Sequence, residues 1–165
     1  MNRDIKIGTI GGDLRQLVCA KALAEKGYES AVFGFNNYKG SFGETTRCIT
    51  AEDAVSGSDA IILPLPVSTN GNSLNTPFLN VDISLESLFS LMKKDQLVLA
   101  GHICEKTKYL AEKNEINLID YYEREELQIL NAIPTALAVS PLFFRTIPHI
   151  FILYIQCVSY SIRRR

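Results

Sequence analysis

The sequence has no excess of charge of either sign. Its 165 residues include 17 lysines and arginines and 18 aspartates and glutamates, for a formal net charge of -1. Affinity for nucleic acid depends on a surplus of basic residues that neutralise phosphates. We therefore predict no nucleic-acid partner.

Closely spaced metal ligands are also missing. The sequence has two histidines, and its four cysteines are scattered at Cys19, Cys48, Cys104 and Cys157. Structural zinc sites and redox dithiols need close pairs such as C-x-x-C. We predict that the chain holds no metal and that the cysteines are reduced thiols.

No apolar run of secretory length opens the sequence, because polar and charged residues interrupt its start, MNRDIKIGTIGG. An export signal needs an uninterrupted apolar core of about 7–15 residues. We therefore expect a cytoplasmic protein. Its composition, 47% hydrophobic and 21% charged, is typical of a globular domain with a buried core.

Short apolar runs alternate with helix-like segments over residues 1–136, as in the βαβ units of a parallel sheet. Strands are predicted at residues 5–10, 29–35, 59–63, 96–100 and 117–120. Helices are predicted after the first strand, around residues 85–92, over about residues 104–113 and from about residue 123. The predicted fold is an α/β, flavodoxin-like or Rossmann-like domain. It has a doubly wound parallel five-stranded sheet of order 2-1-3-4-5 with helices on both faces, and its sites gather at the carboxyl edge.

The remaining residues, 137–165, do not continue this pattern. Pro141 and Pro148 interrupt them, and an uncharged stretch over residues 146–162 precedes three arginines. We interpret them as a divergent apolar tail, disordered or adventitious, and expect no membrane partner. A tail-anchored membrane protein is the alternative, because the uncharged stretch is at the short end of a membrane span.

The first candidate segment is IGTIGGDLRQ, where a strand leads into two glycines and then a helix. Asp13 can cap that helix, with Gln16 three residues on. The spacing G-x-x-G-G is not the dinucleotide fingerprint, and the acidic Asp13 opposes a pyrophosphate. Arg15 could instead pair with a substrate carboxylate. The alternative is a plain strand-to-helix turn with a capping aspartate.

Two further segments follow buried strands. AIILPLPVSTNG with LNTPF contains a long polar loop, whose Ser68 and Asn75 offer neutral hydrogen-bonding groups to a small carboxylated ligand. A plain surface loop is the alternative.

LAGHI places His102 at the end of a strand, where it could bind substrate or shuttle a proton. A single histidine without a visible acidic partner is more often structural.

These segments, followed by DYYEREELQILNAIPTA at residues 120–136, resemble in the same order the amino-terminal domain of the dipicolinate synthase A subunit. The resemblance runs through nearly all of residues 5–136. It implies a cytoplasmic enzyme of spore-forming bacteria, built like the D-2-hydroxyacid dehydrogenases, with a flavodoxin-like first domain and a Rossmann domain that binds NADP. With a flavoprotein-like B subunit, that family oxidises a dihydrodipicolinate-type precursor to dipicolinate during sporulation.

The expected ligand is therefore a small dicarboxylate. We predict substrate contacts on the first turn, on the following loop and on the last helix, at Gly12, Asp13, Arg15, Pro66, Ser68, Asn75 and Asn131. His102 is a further candidate contact and the one candidate for catalysis. The dipicolinate synthase B subunit is the expected protein partner, and the oligomeric state stays open, a homo-oligomer included.

After Ala136 the sequence departs from the family, since no second strand, glycine turn and helix follow. This departure predicts a truncated or frame-shifted reading frame, or a split gene. Hydride transfer needs a nicotinamide held against the substrate. We therefore expect the chain to bind no cofactor and to be inactive by itself.

A non-catalytic flavodoxin-like binding or signalling module is the alternative function. A phosphorelay receiver would need an aspartate ending the third strand and a lysine ending the fifth, where this sequence has Pro64 and Asp120. A flavin-binding module would need a hydroxyl-rich phosphate loop in place of GGDLRQ. Both versions of the module are disfavoured.

Overall fold

The computed structural model describes residues 5–125 and 127–129 of the chain. The strands are β1 (Lys6–Ile10), β2 (Glu29–Phe33), β3 (Thr46–Arg47), β4 (Ala60–Ile62), β5 (Leu97–Ala100) and β6 (Asn117–Asp120). The helices are α1 (Leu14–Glu25), α2 (Ala51–Ser56), α3 (Leu85–Ser90) and α4 (Glu105–Lys113), and a 3-10 turn covers Tyr121–Glu123. All strand pairs are parallel.

The sheet has the order β3-β2-β1-β4-β5-β6. Without β3 this is the predicted order 2-1-3-4-5, so the predicted fold class is confirmed. The predicted count of five strands was wrong, because β3 adds a sixth at the edge beside β2. Two exposed residues, Thr46 and Arg47, are too few to show an alternating pattern in the sequence.

Helix α2 was also absent from the prediction. It has six residues and begins at a capping box, in which Thr50 accepts from the backbone of Asp53 and the Asp53 side chain accepts from the backbone of Thr50. This T-x-x-D pattern was the available signal. The segment is too short to show helical periodicity.

The predicted ends of α1 are confirmed. The Asp13 carboxylate accepts from Arg15 N at 2.8 Å, and Gln16 Oε1 accepts from Asp13 N at 3.2 Å, which completes the capping box. The helix ends at Glu25 and is closed by Gly27, whose φ is +86°, while Tyr28 N donates back to the Leu23 carbonyl. This glycine-terminated end satisfies carbonyls of the last turn.

The core has one layer on each face of the sheet. On one face α1 packs with Ile7, Ile62 and Leu99, and the buried Leu127 joins this layer. On the other face α2, α3 and α4 pack against the sheet through Ile61 and its neighbours. Residues 125 and 127–129 are helical, in the segment where the last helix was predicted.

The predicted domain end at residue 136 and the apolar tail lie outside the described residues. Within the described ranges, no helix has the length and apolar character to span a membrane.

Gly8, in the middle of β1, lies against α2. A Cβ at this position would stand 2.5 Å from the Ala54 carbonyl oxygen and 2.8 Å from Ser58 Oγ. Because a backbone atom must shift, we expect Gly8→Ala to lower the free energy of unfolding by about 1–3 kcal/mol in urea denaturation. The control is Gly57→Ala, whose Cβ would meet only Asp53 O, at 3.7 Å. Equal stability of the two variants would contradict this account.

Candidate functional site

The direction of winding reverses between β1 and β4, since the chain moves from β1 to β2 on one side and returns to β4 on the other. The first turn, residues 11–13, follows β1, and a long loop, residues 63–84, follows β4. Both lie at the carboxyl edge of the sheet. Ligands of open α/β sheets bind at such a switch point.

Glycine is required at both leading positions of the first turn. Gly11 and Gly12 have φ of +70° and +90°, in a region that other residues rarely adopt. At Gly11 a Cβ would also stand 2.8 Å from Thr76 Cγ2 and 3.0 Å from Asn75 O. The turn is thus shaped by close approach of the long loop.

The first turn directs its backbone donors into the protein. Its three N–H groups donate to internal acceptors: Gly11 to Phe33 O at 2.9 Å, Gly12 to Asn75 O at 2.8 Å and Asp13 to Gln16 Oε1 at 3.2 Å. At the start of α1, the N–H of Arg15 donates to Asp13 Oδ1 at 2.8 Å. Glycine turns that bind dinucleotides offer such groups to a pyrophosphate. For a pyrophosphate to bind here, these bonds would have to break, and its negative charge would lie beside the Asp13 carboxylate. The turn does not fit a dinucleotide.

Arg15 makes a forked ion pair with Asp13. Its Nε lies 3.0 Å from each carboxylate oxygen, and Nη2 lies 2.8 Å from Oδ2. Nη2 also donates to the Leu65 carbonyl at 2.8 Å. The two side chains are 39% and 40% exposed. Arg15 therefore connects the start of α1 to the loop after β4.

Asn75 makes the second connection. Its carbonyl accepts from Gly12, its N–H donates to Val67 O at 2.9 Å, and its Nδ2 donates to Pro66 O at 3.2 Å. The peptide between Leu65 and Pro66 is cis. Asn75 is half-buried, and its bonds to Gly12 and Pro66 place it where the turn meets the loop.

Ser68 folds its own loop. Its hydroxyl donates to Ser73 O at 2.5 Å and accepts from Gly71 N at 2.9 Å. Asn70 Oδ1 accepts from the N–H groups of Asn72 and Ser73, each at 2.8 Å. The polar residues of VSTNGNS thus hold the loop in shape.

His102 lies after β5, next to Asp120. The Asp120 carboxylate accepts from three backbone N–H groups, those of His102 at 3.1 Å, Ile103 at 2.8 Å and Tyr122 at 2.8 Å. The exposed His102 has φ of +55°, and its ring stands edge-on to the Tyr122 ring, with centroids 6.0 Å apart. The nearby carboxylate is thus occupied by the backbone and orders the turn.

Cys104 precedes α4 at the same edge of the sheet. Hydrogen bonds lower the pKa of its thiol, first the one with the Thr107 side chain at 3.3 Å and then those from backbone N–H groups. Burial instead raises the pKa of Cys19 to about 12. Among the described residues there is no group of three or more His, Cys, Asp or Glu side chains that could hold a metal ion.

The family model of the N-terminal domain of the dipicolinate synthase A subunit matches residues 6–122. The chain belongs to this family. The dipicolinate synthase A subunit of Bacillus subtilis strain 168 is 27% identical over 139 residues, which cover 79% of this chain and 44% of that protein. The resemblance seen in the sequence is therefore confirmed.

Two solved structures of dipicolinate synthase A subunits are similar to the chain. The one from Bacillus subtilis has a TM-score of 0.69 at 26% identity, over 84% of this chain and 47% of that one. The one from Bacillus halodurans has a TM-score of 0.67 at 26% identity, over 80% and 45%. The chain thus spans less than half the length of these relatives.

The structure brings together five of the residues predicted to contact substrate in this dipicolinate synthase domain. The first turn and the loop bring together Gly12, Asp13, Arg15, Pro66 and Asn75. Ser68 bonds within its own loop, and His102 follows the neighbouring strand β5. Asn131 lies outside the described residues.

Sequence reasoning missed two residues of this edge. Tyr121 is 2% exposed, and its hydroxyl donates to Leu63 O at 3.1 Å. Asp120, at the end of β6, organises the turn at His102. The available signal was an aspartate at the end of a predicted strand, where its side chain often accepts from the backbone two residues on.

Cys104 should react first with a thiol reagent near pH 7.5, because a lowered pKa increases the thiolate fraction and the side chain is exposed. Thr107→Val should slow this reaction several-fold by raising the Cys104 pKa. Cys19 should react only on unfolding. Alkylation followed by peptide mass spectrometry, in a Cys157→Ser background, measures each rate. A Cys48 that reacts as fast as Cys104 would contradict the assignment, since burial raises its pKa.

Proposed function

We propose that this chain is the substrate-binding part of a dipicolinate synthase A subunit. In the complete enzyme it would take part in the NADP-dependent oxidation of a dihydrodipicolinate-type precursor to dipicolinate during sporulation. The observation that carries the proposal is the family match over residues 6–122. The geometry of the carboxyl edge supports it independently.

The substrate site lies where the first turn meets the loop after β4. A precursor with two carboxylates and a ring needs hydrogen-bond donors and a flat apolar neighbour more than it needs a phosphate cradle. The Asn75 carboxamide and Pro66 supply both at the rim, beside the turn at Gly12 and Asp13. Ser68 contributes by holding the loop in shape.

Oxidation of a dihydropyridine ring to a pyridine removes a hydride and a proton. NADP would accept the hydride, and the first turn of this chain does not fit that cofactor. The chain's share is therefore to bind and orient the dicarboxylate. His102 is the candidate for moving the proton, because its exposed imidazole lies at the same edge of the sheet.

The remaining parts of the enzyme are proposed from the family. The nucleotide-binding half would be a separate polypeptide or domain, and the flavoprotein-like B subunit would be the partner in a cytoplasmic complex. Residues 137–165, which do not resemble that half, are an adventitious tail in this proposal.

Calorimetric titration of the full 165-residue chain tests the function. We expect saturable binding of pyridine-2,6-dicarboxylate, weaker binding of the 3,5-isomer and little binding of NADPH. The isomer controls for nonspecific attraction of two carboxylates. Micromolar affinity for NADPH without dicarboxylate binding would refute the proposal.

Asn75→Asp should weaken dicarboxylate binding at least about tenfold, or about 1.4 kcal/mol. The change removes the donor to Pro66 O and places a carboxylate beside the ligand's own. Asn70→Asp is the matched control, because it adds the same charge to the same loop and keeps the Oδ acceptor that Asn72 and Ser73 use. Equal weakening by both variants would show only a general charge effect and would remove Asn75 from the site.

A further inference from the structure

We infer that Arg15 is a positioning residue, which fixes the loop after β4 against the first turn and is not itself a ligand of a substrate carboxylate. This inference deepens the proposed function and takes its ligand, a small dicarboxylate, from it. The sequence suggested the opposite role, because an arginine beside a glycine turn is a common carboxylate ligand.

The guanidinium group is already paired with a carboxylate of the same chain. Three of its contacts go to Asp13, two at 3.0 Å and one at 2.8 Å, in the forked geometry that arginine uses for carboxylates. A substrate carboxylate that bound the same edge of the guanidinium, formed by Nε and Nη2, would have to displace Asp13. The charge of Arg15 is also balanced by Asp13, which leaves little attraction for a dianion.

A further contact of Arg15 shows what the pair does. Nη2 donates to the carbonyl of Leu65, a residue fifty positions away that is 8% exposed. The next carbonyl, that of Pro66, accepts from the Asn75 side chain, and the Asn75 carbonyl accepts from Gly12. Turn and loop are thus fastened at two points.

These two points close a ring of contacts around the proposed site. Arg15 fastens the near end of the loop at Leu65, and the bond between Gly12 and Asn75 fastens its middle. Pro64 and Val67, on either side, also bond to Gly101. Loss of the Arg15 contact would therefore loosen the short segment at Leu65 and Pro66, and the side chains at the rim would lose their fixed spacing. A lysine cannot replace it, since one ammonium group cannot hold the Asp13 fork and the Leu65 carbonyl in one plane.

Asp13→Asn separates the two roles by the sign of its effect. Asparagine caps helices about as well as aspartate, so α1 should keep its start. A ligand role predicts tighter dicarboxylate binding, because Arg15 would lose its competing carboxylate. The positioning role predicts weaker binding, by about fivefold or more, because a neutral amide at position 13 pairs weakly with the Arg15 guanidinium. Titration of the full chain with pyridine-2,6-dicarboxylate measures the difference.

Arg15→Lys and Arg15→Gln complete the comparison. In the positioning role both should weaken binding to a similar extent, although lysine keeps the charge. Retention of wild-type affinity by Arg15→Lys would overturn the inference, and so would tighter binding by Asp13→Asn.

Amide hydrogen exchange, followed by NMR on the ligand-free chain, does not depend on the proposed function. In all three variants the N–H groups of Gly12 and Asn75 should exchange at least about tenfold faster, while that of Val98 in the buried strand β5 stays unchanged. Unchanged exchange at Gly12 and Asn75 would overturn the positioning role. If the wild-type chain binds no dicarboxylate, the proposed function fails, and the exchange rates still decide what Arg15 does.

Discussion

The hydrogen bond from the Gly12 N–H to the carbonyl of Asn75 is the contact on which the carboxyl edge of this domain depends. It joins the turn after β1 to the loop after β4 at the point where the winding of the sheet reverses. In dinucleotide-binding turns the equivalent donors point at a phosphate. Here they bond to protein carbonyls. The strand, turn and helix therefore have the outline of a dinucleotide-binding unit, but the turn joins the loop after β4 to the end of β1.

This use of the turn explains why two glycines and a polar loop occur together. Positive φ at Gly11 and Gly12 aims their N–H groups at neighbouring carbonyls, and the absence of side chains lets the loop approach. A hydrogen bond of this kind contributes about 0.5–1.5 kcal/mol, but a buried donor left unpaired costs more. The turn and the loop therefore have to be folded together, with Ser68 and Asn70 keeping the loop in register.

This domain spans less than half of the length of its dipicolinate synthase relatives. The described residues give a rim of polar groups at a sheet edge, joined by hydrogen bonds and by the ion pair between Arg15 and Asp13. They bring His102 beside Asp120, but the carboxylate there is engaged by backbone N–H groups. The Asp120 carboxylate therefore orders the turn after β5.

The sequence by itself determined the five longer strands, their order, and the start and end of α1, because these depend on periodicity and on capping contacts within a few residues. It did not show β3 or α2, which are too short to display a period. Nor could it show the partner of Arg15, since the Leu65 carbonyl lies fifty residues away in the chain. Residue types at the edge were visible in the sequence. Which donor meets which acceptor was decided by the tertiary structure, because parallel strands bring distant connections to one edge of the sheet.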